Sequence, residues 1–93
     1  MKLVIARPPV KEGKEAEFEE VALELRNKTR EREPGVVFYE FCKSSEGEYF
    51  FVEVYQDEEA LRAHGDTPHL EEIAPKLYAL MDGKPKFTFS DVI

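Results

Sequence analysis

The spacing of apolar residues changes several times along the chain, and each change marks a new element. Lys2 to Ala6 is a short β-branched run that stops before Pro8-Pro9, which predicts a first strand. From Gly13 the spacing becomes helical, with one apolar and one acidic face. This helix is predicted to end at about Glu33, because Pro34-Gly35 cannot continue it.

A hairpin is predicted next. Val36 to Lys43 and Glu48 to Gln56 are both rich in β-branched and aromatic residues, and a polar connection separates them. Alternation in the second of these strands places two sets of side chains on opposite faces of the sheet. Both sets are largely apolar: Tyr49, Phe51, Glu53 and Tyr55 on one face, and Phe50, Val52 and Val54 on the other.

The last third of the chain predicts a helical region and a closing strand. Asp57 is a suitable N-cap for a short helix that runs to about His64. Thr67-Pro68 restarts a helix, which we expect Pro75 to bend. Lys86 to Ile93 alternates apolar and polar residues and predicts the final strand.

The predicted order βαββαβ defines an α+β, ferredoxin-like domain over residues 1–93, with a four-stranded antiparallel sheet. Two helical regions cover only one face of such a sheet. An exposed apolar second face would favour aggregation, so we expect a second copy of the chain to cover it. The pattern therefore predicts a homodimer, and it leaves a higher homo-oligomer open.

Composition narrows the function classes. The 93 residues carry a formal charge of −7, which disfavours nucleic acid and anionic membrane surfaces as partners. No apolar run approaches the length of a bilayer span, and we expect a cytoplasmic protein. The single cysteine, Cys42, has no Cys or His at metal-ligand spacing, so we expect no metal, and its expected place is a half-buried strand position.

Three segments together resemble the antibiotic biosynthesis monooxygenase (ABM) family: Pro34 to Glu40, Phe51 to Leu61 and His64 to Leu70. They share with that family a Pro-Gly turn before a Tyr-Glu strand, a strand ending in Glu-x-aromatic-x-Asp, and a His ahead of a Thr-Pro-His step. The resemblance covers essentially the whole chain. It implies a dimeric α+β barrel with a small pocket between the sheet and the helices of each subunit.

The resemblance also implies a type of chemistry. Several family members oxidise small phenolic or quinol substrates with molecular oxygen and use no cofactor, and accordingly none is expected here. Relatives that degrade haem use an Asn on the first strand and a His on the long helix. This chain has Ala74 at the matching helix position and no Asn within Met1 to Pro9. Haem degradation is therefore not expected, and the absence of Trp implies a substrate pocket different from that of other members.

His64 is the first candidate for a general base or substrate hydrogen-bonder, because imidazole titrates near neutral pH. A structural histidine at the helix break is the alternative. Glu53 is a carboxylate on a central strand, which makes it either a catalytic acid or base, with Tyr39 supplying a phenol, or the ion-pair partner of Arg7 or Arg62. The expected substrate-binding residues are Tyr49, Phe51, Tyr55 and His69, for which core or dimer-interface roles are the alternative.

Three functions stay open at this point. The first is a cofactor-independent monooxygenase that acts on a small aromatic phenol or quinol. The second is an isomerase of a small hydroxy-ketone, which would use the same acid and base groups without oxygen. The third is a non-enzymatic dimer that binds a small hydrophobic ligand. The fold alone does not separate them.

Overall fold

The computed structural model describes all 93 residues. It confirms the α+β ferredoxin-like class: a four-stranded antiparallel sheet carries the helices on one face. The elements, in chain order, are β1 (Lys2–Arg7), α1 (Glu15–Arg32), β2 (Val36–Lys43), β3 (Tyr49–Tyr55), α2 (Glu58–Gly65), α3 (Pro68–Ala79) and β4 (Lys86–Asp91).

The predicted elements are all present, with small differences at their ends. The third strand is shorter than the predicted Glu48 to Gln56 by one residue at each end, and the last strand stops at Asp91 instead of Ile93. Helix α3 continues through Pro75 to Ala79. Strand and helix ends depend on hydrogen bonds that sequence patterns do not specify, so differences of this size are expected.

The sheet order is β2-β3-β1-β4, which places β3 and β1 at the centre. Glu53 of β3 lies opposite Tyr39 on one side and Val4 of β1 on the other. The pairing of β2 with β3 has one irregularity, between Val36 and Phe38, and is regular from Phe38 to Lys43. A carboxylate is thereby fixed in the middle of the sheet.

One layer of core lies between the sheet and the helices. Side chains of β3 alternate strictly, and Tyr49, Phe51, Glu53 and Tyr55 are the buried ones, as the alternation predicts. Helices α1 and α3 contribute the opposing layer, and the largest fully buried apolar side chains are Phe18, Tyr55 and Ile73. The buried residues of α1 recur at helical spacing and so lie on one face of the helix: Phe18, Ala22, Leu25 and Thr29.

No helix covers the other face of the sheet. Phe50, Val52 and Val54 are only half-buried there, and Phe38 is 48% exposed. Cys42, on the same face, is also half-buried, as expected. The apolar second face on which the homodimer prediction rests is thus present in the folded chain.

None of the helices is both long enough and apolar enough to cross a membrane.

Candidate functional site

A cavity of about 170 Å³ lies between the helix-facing side of the sheet and the helices. All four strands and all three helices contribute to it, and ten of its fourteen lining residues are hydrophobic. The lining residues are Ala6, Pro8, Leu25, Tyr39, Phe51, Glu53, His64, Leu70, Ala74, Leu77, Tyr78, Met81, Pro85 and Phe87. A few polar groups in an apolar, concave site are the usual arrangement of a small-molecule site.

The polar groups of this cavity include Tyr39, Glu53 and His64, the three predicted catalytic residues. The rings of Tyr39 and His64 lie 5.4 Å apart between centroids, and Tyr39 pairs with Glu53 across the strands. Neither the Tyr39 hydroxyl nor Nε2 of His64 is hydrogen-bonded within the protein. Thr29 Oγ1 is the one fully buried polar side-chain atom that lacks a hydrogen-bond partner. The Tyr39 hydroxyl and Nε2 of His64, which also lack a partner, must therefore keep some exposed surface. Both atoms are therefore free to meet a ligand in the cavity.

Glu53 is 6% exposed and accepts a hydrogen bond of 2.5 Å from the Tyr55 hydroxyl. Burial raises the pKa of the Glu53 carboxyl above its usual range, although the Tyr55 hydrogen bond and nearby His64 oppose that rise. The expected ion pair with an arginine is wrong. Arg7 donates to Thr88, and Arg62 pairs with Glu58 on the surface of α2.

The two phenols beside Glu53 stay protonated across the ordinary pH range. Burial, followed by the charge of Glu53, raises the pKa of Tyr39 well above that of a free phenol. The same two causes, together with the hydrogen bond to Glu53, raise the pKa of Tyr55. Tyr39 therefore reaches the cavity as a hydrogen-bond donor and not as a base.

Behind His64 lies Glu33, which the sequence analysis did not identify as a site residue. Its Oε2 is 2.8 Å from Nδ1 of His64 and 2.5 Å from Nε2 of His69, and its Oε1 is 3.0 Å from the same nitrogen of His64. All three side chains are at most one-tenth exposed. We call this group the Glu33–His64–His69 cluster.

Local sequence explains how these residues come together. Glu33 follows the last residue of α1, and Pro34 disfavours a helical conformation for it, so its backbone is extended. The Thr67 hydroxyl accepts from Leu70 N–H, capping α3, and donates to the carbonyl of His64 at the end of α2. The junction of α2 and α3 therefore holds both histidines against the chain just after α1.

The remaining predicted substrate-binding residues occupy different places. Phe51 lines the cavity. Tyr55 and His69 lie behind its wall, where they hold Glu53 and Glu33. Tyr49 is outside the cavity: its ring packs on Phe41 and its hydroxyl donates to Glu19. Sequence alternation identifies the face on which these side chains lie but not their position along the cavity.

The Glu33–His64–His69 cluster consists of residue types that bind divalent metal ions, and its ligand atoms all lie within 4.8 Å of one another. Ligands about 2.0–2.1 Å from one ion are separated by roughly 2.9–3.4 Å in octahedral or tetrahedral geometry. Oε2 of Glu33 is nearer than that to both ring nitrogens, at 2.8 and 2.5 Å. The 2.8 Å contact with His64 has the length of a charge-assisted hydrogen bond, and the contact with His69 is shorter still.

Comparison with known proteins agrees with the fold. The sequence profile described as antibiotic biosynthesis monooxygenase matches residues 1–76. Since this match spans most of the chain, the chain belongs to the antibiotic biosynthesis monooxygenase family. No curated protein sequence matches it significantly.

Solved structures give the same result. A candidate antibiotic biosynthesis monooxygenase from Caulobacter crescentus CB15 is 33% identical, with a TM-score of 0.94 over 99% of this chain and 89% of the other. A conserved protein from Methanosarcina mazei Go1 is 26% identical, with a TM-score of 0.90 over 96% of this chain and 89% of that one. SnoaB of Streptomyces nogalater, described as a cofactor-independent oxygenase, shares the fold at 24% identity and a TM-score of 0.85, over 98% and 91% of the two chains.

Proposed function

We propose that this protein is a monooxygenase that oxidises a small aromatic phenol or quinol with molecular oxygen, in the cavity between sheet and helices. Family membership supports a monooxygenase at a general level. The observation that carries the specific proposal is the unpaired Nε2 of His64, which shares an apolar cavity with Tyr39 and Glu53. An imidazole nitrogen with a free lone pair in a mostly apolar site is what removal of a phenolic proton requires.

The proposed reaction needs only the electrons of the substrate. Loss of a proton to His64 gives an electron-rich anion, which passes one electron to oxygen and forms a substrate radical and superoxide. Their recombination forms a C–O bond and gives a peroxide, which takes up a proton. Loss of water from the hydroperoxide, at the ring carbon that still bears a hydrogen atom, leaves a carbonyl group, so one oxygen atom enters the product and the other leaves as water.

The three polar groups have separate roles in this proposal. His64 accepts the substrate proton at Nε2. Tyr39, whose raised pKa keeps it a donor, hydrogen-bonds to the substrate oxygen. Glu53, which lines the same cavity and whose pKa is raised by burial, holds a proton and returns it to the peroxide.

The size of the cavity limits the substrate. A closed apolar cavity of roughly 150 Å³ accommodates benzene. At about 170 Å³, this partly open cavity accommodates one aromatic ring, with room for a second only toward its opening. We therefore expect single-ring and naphthalene-sized quinols to be better substrates than three-ring anthrones.

The homodimer belongs to the same proposal. The half-buried Phe50, Val52 and Val54 and the exposed Phe38 form an apolar surface without a cover in the single chain. A second copy packed through this face would bury it and leave the cavity, on the opposite face, accessible. Light scattering of the wild type and of Val52→Lys tests this: a dimer that becomes a folded monomer supports it, and a wild-type monomer contradicts it.

Isomerisation of a small hydroxy-ketone is the second candidate. It is favoured by the presence of His64 and Glu53 on one cavity, because proton removal at one carbon and return at the next needs such a pair. It consumes no oxygen, which separates it from the first proposal.

Oxygen uptake by the purified protein tests the proposal. A panel of single-ring quinols, naphthoquinols and anthrones is compared for the wild type, His64→Gln, and Arg62→Ala, whose arginine is an exposed surface residue on α2. We expect protein-dependent uptake that falls about 10²-fold or more in His64→Gln and is unchanged in Arg62→Ala. Absence of uptake with every substrate, or full activity of His64→Gln, would contradict the proposal. Movement of the carbonyl group of a hydroxy-ketone without oxygen uptake would identify an isomerase. Saturable binding of a quinol without turnover would identify a ligand-binding protein.

A further inference from the structure

The side chain of Glu33 is a nearly buried carboxylate that forms no ion pair with a lysine or arginine. Its hydrogen-bond partners are two histidine rings, His64 and His69, and its side chain is 9% exposed. A buried carboxylate is costly unless its oxygens accept hydrogen bonds. The two rings together satisfy that need.

The direction of these hydrogen bonds follows from the chemistry of the groups. An ionised carboxylate only accepts, so each ring nitrogen facing it must carry a proton. Nδ1 of His64 is therefore N–H, and so is Nε2 of His69. In its neutral form an imidazole carries one N–H, so His64 then has a free lone pair at Nε2. That nitrogen is the one without a protein partner, on the ring that lines the cavity.

We propose that Glu33 is a positioning residue that fixes His64 in the Nδ1–H tautomer, with Nε2 as an acceptor toward the cavity, and that His69 holds Glu33 in place for this role. The tautomer itself is a property of the chain without substrate. The catalytic consequence rests on the function proposed above, because only a base needs a free lone pair at Nε2.

The contacts of Glu33 with His69 and with His64 have different effects. His69 approaches Oε2 at 2.5 Å, and its side chain is only 3% exposed, so it holds the carboxylate against rotation. His64 spans both oxygens, at 2.8 and 3.0 Å, which keeps its ring plane fixed between Tyr39 and Tyr55. When Nε2 takes a proton, the imidazolium that forms already lies against a negative charge.

Glu33→Gln is the informative change, since it keeps the shape of the side chain and removes its acceptor-only character. The amide NH₂ can donate to Nδ1 of His64, which then becomes the acceptor and moves the proton to Nε2. A base with a proton at Nε2 cannot accept one there. Glu31→Gln is the matched control, because Glu31 lies on α1 two residues earlier and is exposed.

Long-range ¹H–¹⁵N correlation spectra of the histidine rings give the tautomer directly, with His64→Gln used to assign the signals. Spectra are recorded at about pH 8.5, above the ordinary imidazole pKa. We expect the neutral Nδ1–H form of His64 in the wild type and in Glu31→Gln, and the Nε2–H form in Glu33→Gln. The Nε2–H form or a persistent imidazolium in the wild type would overturn the proposal, as would an unchanged tautomer in a folded Glu33→Gln.

Activity and metal binding complete the test. With a substrate found as above, we expect kcat/KM of Glu33→Gln to fall by about 10²-fold or more over the whole pH range, and His69→Gln to give a smaller loss. If the tautomer shifts as expected but no substrate is turned over, the positioning role stands and the proposed function fails. Stoichiometric, tight binding of Zn²⁺ or Fe²⁺ that depends on Glu33 would overturn the proposal, because the ring nitrogens would then be metal ligands.

Discussion

Removal of the Tyr55 hydroxyl is the perturbation whose effect is clearest from the structure. Tyr55 is completely buried, and its hydroxyl donates to Oε1 of Glu53 at 2.5 Å. Tyr55→Phe keeps the ring and its packing, so it creates almost no cavity. A hydrogen bond to a charged group contributes about 1.5–3 kcal/mol, whereas one between neutral groups contributes about 0.5–1.5 kcal/mol. We therefore expect Tyr55→Phe to lower the free energy of unfolding by about 1.5–3 kcal/mol when Glu53 is ionised.

The size of this loss depends on pH in a defined direction. Burial raises the pKa of Glu53 in the folded state, so its ionisation weakens the fold, and the favourable contribution of the protonated form is lost as pH rises through that pKa. The Tyr55 hydrogen bond opposes the rise, and removing it raises the pKa further. The difference between wild type and Tyr55→Phe should therefore be smaller at acidic pH, near 0.5–1.5 kcal/mol, and grow toward alkaline pH.

Urea unfolding at fixed protein concentration, followed by circular dichroism at several pH values, measures both effects. In a domain of this size the loss corresponds to a fall in Tm of roughly 4–8 °C for each kcal/mol. Tyr78→Phe is the matched control, because Tyr78 is 54% exposed and its hydroxyl has no protein partner, and it should change stability by less than about 0.5 kcal/mol. Equal stability of Tyr55→Phe and wild type at alkaline pH, or a loss that grows toward acid, would refute this account of Glu53.

Three further changes have expected outcomes. Glu53→Gln removes a costly ionisation, so its stability relative to the wild type should rise with pH, while kcat falls; a stability difference that does not vary with pH would contradict the buried-carboxylate account. Gly35→Ala should cost about 1–3 kcal/mol in thermal or urea unfolding, because the new Cβ would lie 2.7 Å from Cβ of Ala60, whereas Gly65→Ala, which meets nothing within 4 Å, should be tolerated. Thr29→Val should raise the unfolding free energy by about 1 kcal/mol, since the Thr29 hydroxyl is fully buried without a partner, and a loss of stability would show that the hydroxyl is bonded.

The fold follows from the sequence because its signals are local. Pro8-Pro9 and Pro34-Gly35 mark the ends of β1 and α1, and the period of two in β3 identifies its buried face. The same alternation places Phe51 and Glu53 toward the helices. Each of these signals needs only neighbours in the chain, so no knowledge of tertiary contacts is required.

The site is less predictable because it depends on distant contacts. In the sequence, Glu33 is predicted to be the last residue of an acidic helix. Its role depends on His64 and His69, which lie 31 and 36 residues later in the chain and are placed beside it by the junction of α2 and α3. The one available signal is the Glu-Pro-Gly sequence, in which Pro34 forces the preceding residue out of the helix. The arginine expected for Glu53 was wrong for a different reason: a local partner, the hydroxyl of Tyr55 two positions along the same strand, supplies the hydrogen bond.

Labelled oxygen tests the central claim most directly. The wild-type protein is incubated with the best quinol of the panel under ¹⁸O₂, and the product is analysed by mass spectrometry beside His64→Gln and Arg62→Ala. The account predicts one ¹⁸O atom in each product molecule, with formation rates that fall about 10²-fold or more in His64→Gln only. A product that carries oxygen from water, or labelled product formed equally fast without His64, would contradict it.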